Sequence, residues 1–228
     1  DIVCGTSAGA IAGALWAAGH DADAIERIVN ETDWYTGRLP RIPVLGIGKL
    51  DRLRELVDRH VGSKRIESFP TRFAAVATDL DTGQPVLLDK GSAGLVVSAS
   101  ASVPLRYEPV TIGGKRLVDG ALSAPVPVDA ARQVGATFTV AVDVAYRPYE
   151  EAISGISDVA FQMFHIMVNR LIDEQIKRAE FAIRLDAHEA MRGDDMLSNV
   201  IRAGEGAVHR QWPELTRALA RAGFMAAG

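Results

Sequence analysis

The N-terminal part of the chain reads IVCGTSAGAIAGALWAAG, residues 2–19. Residues 2–4 are typical of the end of a buried strand, and residues 8–18 carry apolar side chains at helical spacing. Gly5 and Gly9 flank Ser7, so the serine is predicted to lie at a sharp turn between strand and helix. We interpret the two glycines as the small neighbours that a strained turn around a nucleophilic serine requires, two positions before it and two after.

Ser7 would lie at the N-terminus of the predicted helix. The helix dipole and the N–H of Ala8 would then face the serine and could stabilise a developing oxyanion. A glycine turn with a solvated serine is the alternative, because glycine and serine are common residues. The pattern alone therefore does not establish a nucleophile.

A serine hydroxyl attacks slowly unless a base takes its proton. The histidines that could do so are His20, His60, His165, His188 and His209. In a Ser-His-Asp triad of the α/β-hydrolase type, the histidine would follow an acid such as Asp143 and would be His188 or His209. Asp119 is another candidate, since it ends a predicted strand just before Gly120, and a carboxylate can act as the base when burial raises its pKa. An ordinary Asp-Gly turn would also explain that pair.

Composition excludes several classes of protein. The chain has 228 residues, 48% of them hydrophobic, and a formal net charge of -4 without a basic block. We therefore expect one globular domain over residues 1–228 and no nucleic-acid partner. Cys4 is the only cysteine, so neither a disulfide nor a cysteine metal site can form within the chain. The apolar run at 8–19 is too short to span a membrane. We expect a cytoplasmic location, peripheral to a membrane at most, and the sequence leaves the oligomeric state open.

Helical and strand patterns alternate along the chain. The patterns predict helices at 23–30, 50–61, 93–102, 126–134, 157–178 and 213–222, and strands at 73–78, 85–88, 137–142 and 181–185, with a hairpin at 110–118. This order favours the α/β class, with a mostly parallel central sheet covered by helices on both faces.

Four motifs occur in a fixed order. They are GTSAGA at 5–10, ATDLDTG at 77–83, ASASVP at 99–104 leading to PV at 109–110, and VDGA at 118–121 leading to PVPV at 125–128. Together they resemble the patatin-like phospholipases along most of residues 1–144. The resemblance implies a three-layer α/β/α fold and a Ser-Asp dyad, in which Ser7 forms the acyl-enzyme and Asp119 is the base. Gly120 and Ala121 support the motif, with Ala121 replacing a glycine of the family pattern.

The resemblance also implies a lipid or acyl-ester substrate, phospholipid or lysophospholipid, hydrolysed without a cofactor or a metal. Two alternatives remain: a Ser-His-Asp esterase, and a non-catalytic lipid-binding or regulatory protein of the same fold. A nucleotide-binding module is a third, since glycines at a strand-to-helix turn also receive phosphates. Ser7 stands where a dinucleotide fingerprint has its middle glycine, and no P-loop lysine follows, which argues against this module.

One expected family feature precedes the nucleophile: a glycine-rich oxyanion loop with an arginine, after a first strand. The chain starts at the nucleophile strand, so we expect an N-terminally incomplete copy that lacks this strand and loop, with reduced activity. Trp34 and Tyr35, with basic residues up to Lys49, could form a flap that makes transient membrane contact, or a loop over the core. The apolar helix at 161–172 could line an acyl-chain pocket or simply belong to the core.

Overall fold

The structure is a computed structural model that describes residues 1–30, 50–104, 106–144, 153, 155–185 and 196–225. Contacts divide the chain into two compact units, Asp1–Ala136 and Thr137–Gly228. The prediction of one domain stays a prediction. The predicted flap between Trp34 and Lys49 lies outside the described residues.

The first unit contains five strands and five helices within its described residues. The strands are β1 (Ile2–Thr6), β2 (Arg72–Asp79), β3 (Pro85–Leu88), β4 (Val110–Ile112) and β5 (Lys115–Asp119). The α-helices are α1 (Ala8–Ala17), α2 (Ala22–Asn30), α3 (Asp51–Val61), α4 (Ala93–Ser100) and α5 (Val128–Gln133). A short 3₁₀-helix, Gly120–Leu122, follows β5 directly.

Strand β2 is the centre of the sheet, and its residues from Phe73 to Asp79 are buried. It pairs in parallel with β1 and antiparallel with β3 and β5, while β4 pairs antiparallel with β5. The predicted α/β class is confirmed, but the sheet is mixed rather than mostly parallel. Two of the three antiparallel pairings arise because β2–β3 and β4–β5 are joined by turns too short for the crossover that a parallel pair needs.

Helices cover both faces of this sheet. Successive side chains of a strand point to opposite faces. Val3 faces α1, where a Cβ placed on Gly13 would lie 3.0 Å from its Cγ1, whereas Ile2 faces Gly135 at the end of α5. Phe73, 2% exposed, packs in the core between the sheet and the helices on the α1 face. Burying a side chain of this size contributes about 2–3 kcal/mol.

Strands β1 and β5 lie end to end along one edge of β2. Strand β3 pairs with residues 75–78 of β2 along one edge of that strand. Strands β1 and β5 pair along the other edge, β1 with residues 72–76 and β5 with residues 77–79. Because β1 runs parallel to β2 and β5 antiparallel, their carboxyl ends meet. Thr6 is opposite Val76 and Asp119 is opposite Ala77. We call this meeting point the strand junction; it brings the residues that follow the two strands together.

The second unit contains a parallel pair of strands, β6 (Val140–Asp143) and β7 (Phe181–Arg184), joined through α6 (Ile156–Gln175). Its last described helix is α7 (Met196–Arg221), whose Ala207 and Leu215 pack against β7. The sequence pattern predicts this helix only around residues 213–222. That boundary is wrong: α7 begins 17 residues earlier and Pro213 lies inside it, at the loss of one backbone hydrogen bond.

Candidate active site

Ser7 and Asp119 are in direct contact at the strand junction. The Ser7 hydroxyl donates a hydrogen bond of 2.7 Å to Asp119 Oδ2. Ser7 is partly accessible, whereas Asp119 is 1% exposed. The pair therefore combines an accessible hydroxyl with a buried carboxyl, the two groups that sequence reasoning selected as nucleophile and base.

The backbone of Ser7 adopts a conformation that non-glycine residues rarely take, with φ 55° and ψ -120°. Such residues cost about 1–3 kcal/mol each and persist only where the surroundings hold them. The Ser7 carbonyl accepts from the N–H groups of Ala10 and Ile11, so the strained residue also starts α1. The result is a turn from which the Ser7 hydroxyl reaches Asp119 at the end of β5.

The two glycines around Ser7 have different roles. A Cβ on Gly5 would lie 2.3 Å from the carbonyl oxygen of Gly9, closer than any real contact. A Cβ on Gly9 would meet no atom within 4 Å among the described residues. The predicted collision is therefore present at Gly5, whereas at Gly9, which lies on the exposed side of α1, the described residues leave room for a side chain.

Burial raises the pKa of Asp119 from 3.8 to about 6, and hydrogen bonds from the Ala121 N–H and the Ser7 hydroxyl oppose the rise. The Ala121 N–H donates to Oδ1 over 2.8 Å, which leaves Oδ2 for Ser7. The Asp119 carbonyl accepts a hydrogen bond of 2.9 Å from the Thr78 hydroxyl. These bonds hold the carboxyl in one orientation, and its raised pKa makes it a stronger base than an exposed aspartate.

Gly120 permits the close approach of β5 to β2. A Cβ at this position would lie 2.1 Å from the Val76 carbonyl oxygen and 2.9 Å from Thr6 Cγ2. The Thr6 hydroxyl in turn donates to the carbonyl of Ala124, over 2.7 Å. The Asp-Gly pair thus supplies both the carboxyl and the space that brings it to Ser7.

Comparison with known proteins identifies the family. A family model described as patatin-like phospholipase matches residues 1–132, more than half of the chain. The chain belongs to the patatin-like phospholipase family. The matched region contains both Ser7 and Asp119, and the resemblance noted from four sequence motifs is confirmed.

Several curated proteins are similar to this member of the patatin-like phospholipase family. An NTE family protein of Mycobacterium bovis is 31% identical over 144 residues, which cover 62% of this chain and 40% of the relative. A second NTE family protein of that species is 35% identical over 129 residues, 55% of this chain and 22% of the relative. The protein named lysophospholipase NTE1 of Debaryomyces hansenii is 27% identical over 150 residues, 63% of this chain and 10% of the relative. The chain spans less than half the length of these relatives.

The histidines of the first unit lie at the far end of the nucleophile helix. Helix α1 has ten residues and is about 15 Å long. His20 follows this helix and its Nε2 lies 2.9 Å from the carbonyl oxygen of His60. In the second unit, His165 contacts the rings of Phe161 and Phe164, and His209 is exposed on α7. His188 lies outside the described residues.

Cys4, the apolar helix α6 and the possibility of a metal site or a membrane span were also considered from the sequence. Burial raises the pKa of the Cys4 thiol to about 12, so this residue, three positions before Ser7, is a neutral thiol at pH 7. In the apolar helix that could line an acyl pocket, Ile172 is buried and Met167 is 58% exposed. Within the described residues, no His, Cys, Asp and Glu side chains cluster in a metal-binding arrangement, and no helix is long and apolar enough to cross a membrane.

Sequence analysis missed the side chains that hold the Ser7–Asp119 pair in place in this member of the patatin-like phospholipase family. Ser100 belongs to the motif at 99–104, yet it is absent from the predicted site. It is fully buried, and its hydroxyl accepts a hydrogen bond from the Ser7 N–H over 3.0 Å. Serines recurring at 98, 100 and 102, in and just after the apolar helix α4, were the available signal, because buried hydroxyl groups need partners.

Proposed function

We propose that this chain hydrolyses fatty-acyl esters of phospholipids or lysophospholipids through a Ser7–Asp119 dyad and an acyl-enzyme intermediate. The observation that carries the proposal is the 2.7 Å hydrogen bond from the accessible Ser7 hydroxyl to a carboxyl that burial keeps near pKa 6. Membership of the patatin-like phospholipase family supports the lipid substrate class.

In the first half-reaction, Ser7 Oγ attacks the carbonyl carbon of the ester while Asp119 Oδ2 takes the hydroxyl proton. The negative charge moves to the carbonyl oxygen, where the Ala8 N–H can donate, because the first N–H groups of a helix have no acceptor within the helix. The tetrahedral intermediate then expels the alcohol, and Asp119 returns the proton to the leaving oxygen. Ser7 is left esterified to the fatty-acyl group.

In the second half-reaction, a water molecule replaces the alcohol. Asp119 Oδ2 takes a proton from the water as its oxygen attacks the acyl carbon. Collapse of the second tetrahedral intermediate releases the fatty acid, and the proton returns from Asp119 to Ser7 Oγ. The dyad ends in its starting protonation state, so one carboxyl serves as base and as acid in turn.

The direct contact between Ser7 and Asp119 favours this dyad over a Ser-His-Asp triad. In a triad, an imidazole lies between serine and carboxylate. Here the carboxyl oxygen occupies the position beside the serine hydroxyl, at hydrogen-bond distance. A non-catalytic lipid-binding role would not need a buried ionisable group beside the hydroxyl, since burying a carboxyl opposes its ionisation.

A fluorophosphonate probe tests the proposal, because it phosphonylates an activated serine. We expect the full gene product to be labelled, Ser7→Ala to lose the label, and Asp119→Asn to lose most of it while still folding. Matched His209→Ala and His188→Ala variants should be labelled like the wild type. Labelling that persists in Ser7→Ala would overturn the nucleophile assignment, and loss in a histidine variant would restore the triad.

The lipid class is tested separately, by release of fatty acid from phosphatidylcholine and lysophosphatidylcholine. The relative from Debaryomyces hansenii carries the name lysophospholipase, which makes lysophospholipid the first substrate to try. We expect hydrolysis of at least one of the two lipids to disappear in Ser7→Ala. Labelling by the probe without release from either would keep the dyad and reject the substrate class.

A further inference from the structure

The strand junction leaves two backbone groups without ladder partners. Up to Thr6, β1 pairs with β2; one residue further, the partner of β2 is Asp119 of β5. The two groups are the N–H of Ser7, which follows the last paired residue of β1, and the carbonyl of Val76, which lies beside Gly120. Buried N–H and C=O groups must be paired, so the junction needs a partner from outside the sheet.

The Ser100 hydroxyl supplies that partner. Its Oγ accepts from the Ser7 N–H over 3.0 Å and donates to the Val76 carbonyl over 2.6 Å. Ser100 is the last residue of α4 and is fully buried, so water does not compete for either bond. The Ser100 hydroxyl thus links the Ser7 N–H to the Val76 carbonyl, in place of a direct backbone hydrogen bond between the two strands.

The residues after α4 hold the other half of the dyad. The Asp119 N–H donates to the Ser102 carbonyl over 2.9 Å, and the Ser102 hydroxyl donates to the carbonyl of Glu108 over 2.7 Å. Ser102 is fully buried as well. The segment from Ser100 to Ser102 therefore contacts the backbone of both Ser7 and Asp119, which are 112 residues apart in the chain.

We propose that Ser100 is a positioning residue for the nucleophile, and that with the Ser102 carbonyl it sets the distance between Ser7 and Asp119. The inference rests on the dyad of the proposed function. It adds a side chain that touches neither substrate nor the reacting oxygen and that acts through the Ser7 backbone. The strained φ of Ser7 makes such a partner necessary, because a residue held in a sparsely populated conformation relaxes when a holding contact is removed.

Ser98 offers a matched control. It lies on α4 two residues before Ser100 and is 3% exposed, yet its Oγ has no hydrogen-bond partner among the described residues. Ser98→Ala and Ser100→Ala remove the same atom from the same helix, and only the second removes contacts to Ser7 and Val76. A difference between the two variants therefore reports the junction and not the general loss of a buried hydroxyl.

The first measurement is the phosphonylation rate of Ser7 with the fluorophosphonate, together with kcat and KM for an ester. We expect Ser100→Ala to lower the rate and kcat about tenfold to a hundredfold, with KM within about twofold, because a nucleophile displaced by a fraction of an ångström loses rate and not substrate affinity. Ser98→Ala should match the wild type. Ser100→Cys fills the same space with a thiol that forms only weak hydrogen bonds. We expect its phosphonylation rate and kcat to fall as in Ser100→Ala, which would show that the loss comes from the missing hydrogen bonds and not from an empty space that disturbs folding.

The second measurement does not depend on catalysis. Hydrogen exchange of the Ser7 amide, followed by NMR, should become at least tenfold faster in Ser100→Ala and Ser100→Cys but not in Ser98→Ala. If wild-type protein is not labelled at Ser7, the proposed function fails, while faster exchange still supports the junction. If Ser100→Ala and Ser100→Cys are labelled at the wild-type rate, the positioning role is overturned and the dyad stands.

Discussion

Replacing Asp119 by asparagine should inactivate the protein and stabilise it. The side chain keeps its shape, and its amide can still accept from the Ala121 N–H and contact the Ser7 oxygen, as Asp119 does. What disappears is a buried charge. At neutral pH the buried Asp119 carboxyl is held in an unfavourable ionised state, which the proposed catalysis needs but which lowers stability.

The magnitude follows from the pKa of Asp119, which burial raises from 3.8 to about 6. Between these values the folded protein holds the proton more tightly than the unfolded chain, so stability falls as pH rises. The difference corresponds to ~3 kcal/mol, at about 1.4 kcal/mol for each pH unit. The contribution is present below pH 4 and is lost as pH rises through 6. Asparagine has no such loss, so at pH 8 Asp119→Asn should be more stable than wild type by up to ~3 kcal/mol.

The assay is thermal unfolding of both proteins at a series of pH values between pH 3.5 and pH 8. We expect equal stability at the acid end and a Tm higher by ~6–12 °C for the variant at pH 8, given about 2–4 °C for each kcal/mol in a chain of this size. Ser7→Ala is the control: it is inactive yet retains Asp119, so it must keep the pH-dependent fall. An inactive Asp119→Asn whose stability tracks the wild type at every pH would refute the buried-charge reasoning.

Further predictions concern the base and the glycines. The rate of ester hydrolysis, as kcat/KM, should rise with pH to a plateau with a midpoint near 6, because Asp119 must be ionised; a profile flat from pH 5 to 8 would contradict this. Gly5→Ala should lower the free energy of unfolding by more than ~3 kcal/mol, since its Cβ meets the Gly9 carbonyl, whereas Gly9→Ala should be neutral or stabilising by up to ~1 kcal/mol in thermal melts. Gly120→Ala should resemble Gly5→Ala and also abolish labelling of Ser7, because β5 cannot approach Val76; a stable, labelled variant would show that β5 does not need this approach.

The turn around Ser7 could be predicted from the sequence because its chemistry is local. A strand end, a glycine two positions before the serine and an alanine-rich helix lie within sixteen residues, and each imposes a conformation on its neighbours. Gly9 shows the limit of that reasoning. The motif contains a glycine there, but the described structure gives it no steric role, so a recurring residue type does not reveal its physical cause.

The choice of Asp119 needed more than local pattern. From the residues alone, Asp119 and the histidines were all candidates for the base, an ordinary Asp-Gly turn also explained Asp119, and the resemblance made the carboxyl the preferred base. The structure supplies the missing information, which is the burial of Asp119: this residue is 1% exposed, pairs with β2, and donates its N–H to the Ser102 carbonyl just after α4. Burial depends on what folds over a residue, and no short window of sequence contains that information.

Sheet direction was the other quantity that local pattern could not supply. The alternation of strands and helices favoured parallel pairing, but β2 has one parallel neighbour and two antiparallel ones. Two antiparallel pairings, β2–β3 and β4–β5, follow from tight turns at Gly83 and at Gly113–Gly114, whose positive φ values suit hairpins. Both turns were visible in the sequence. The prediction of a mostly parallel sheet was wrong because it relied on the alternation of strands and helices and gave too little importance to these turns.

The mixed sheet is itself the reason why Ser7 meets Asp119. Two strands can end against each other on one edge of β2 only if one is parallel to it and the other antiparallel, as β1 and β5 are. A slip of one residue in either ladder would move an end by about 3.3 Å and turn its side chain to the opposite face of the sheet. A contact of 2.7 Å between Ser7 and Asp119 therefore requires both registers at once. Ser100 forms hydrogen bonds with Ser7, just after β1, and with β2, and Ser102 forms one with the end of β5. The segment from Ser100 to Ser102 therefore forms its full set of hydrogen bonds only when both strands are in the correct register.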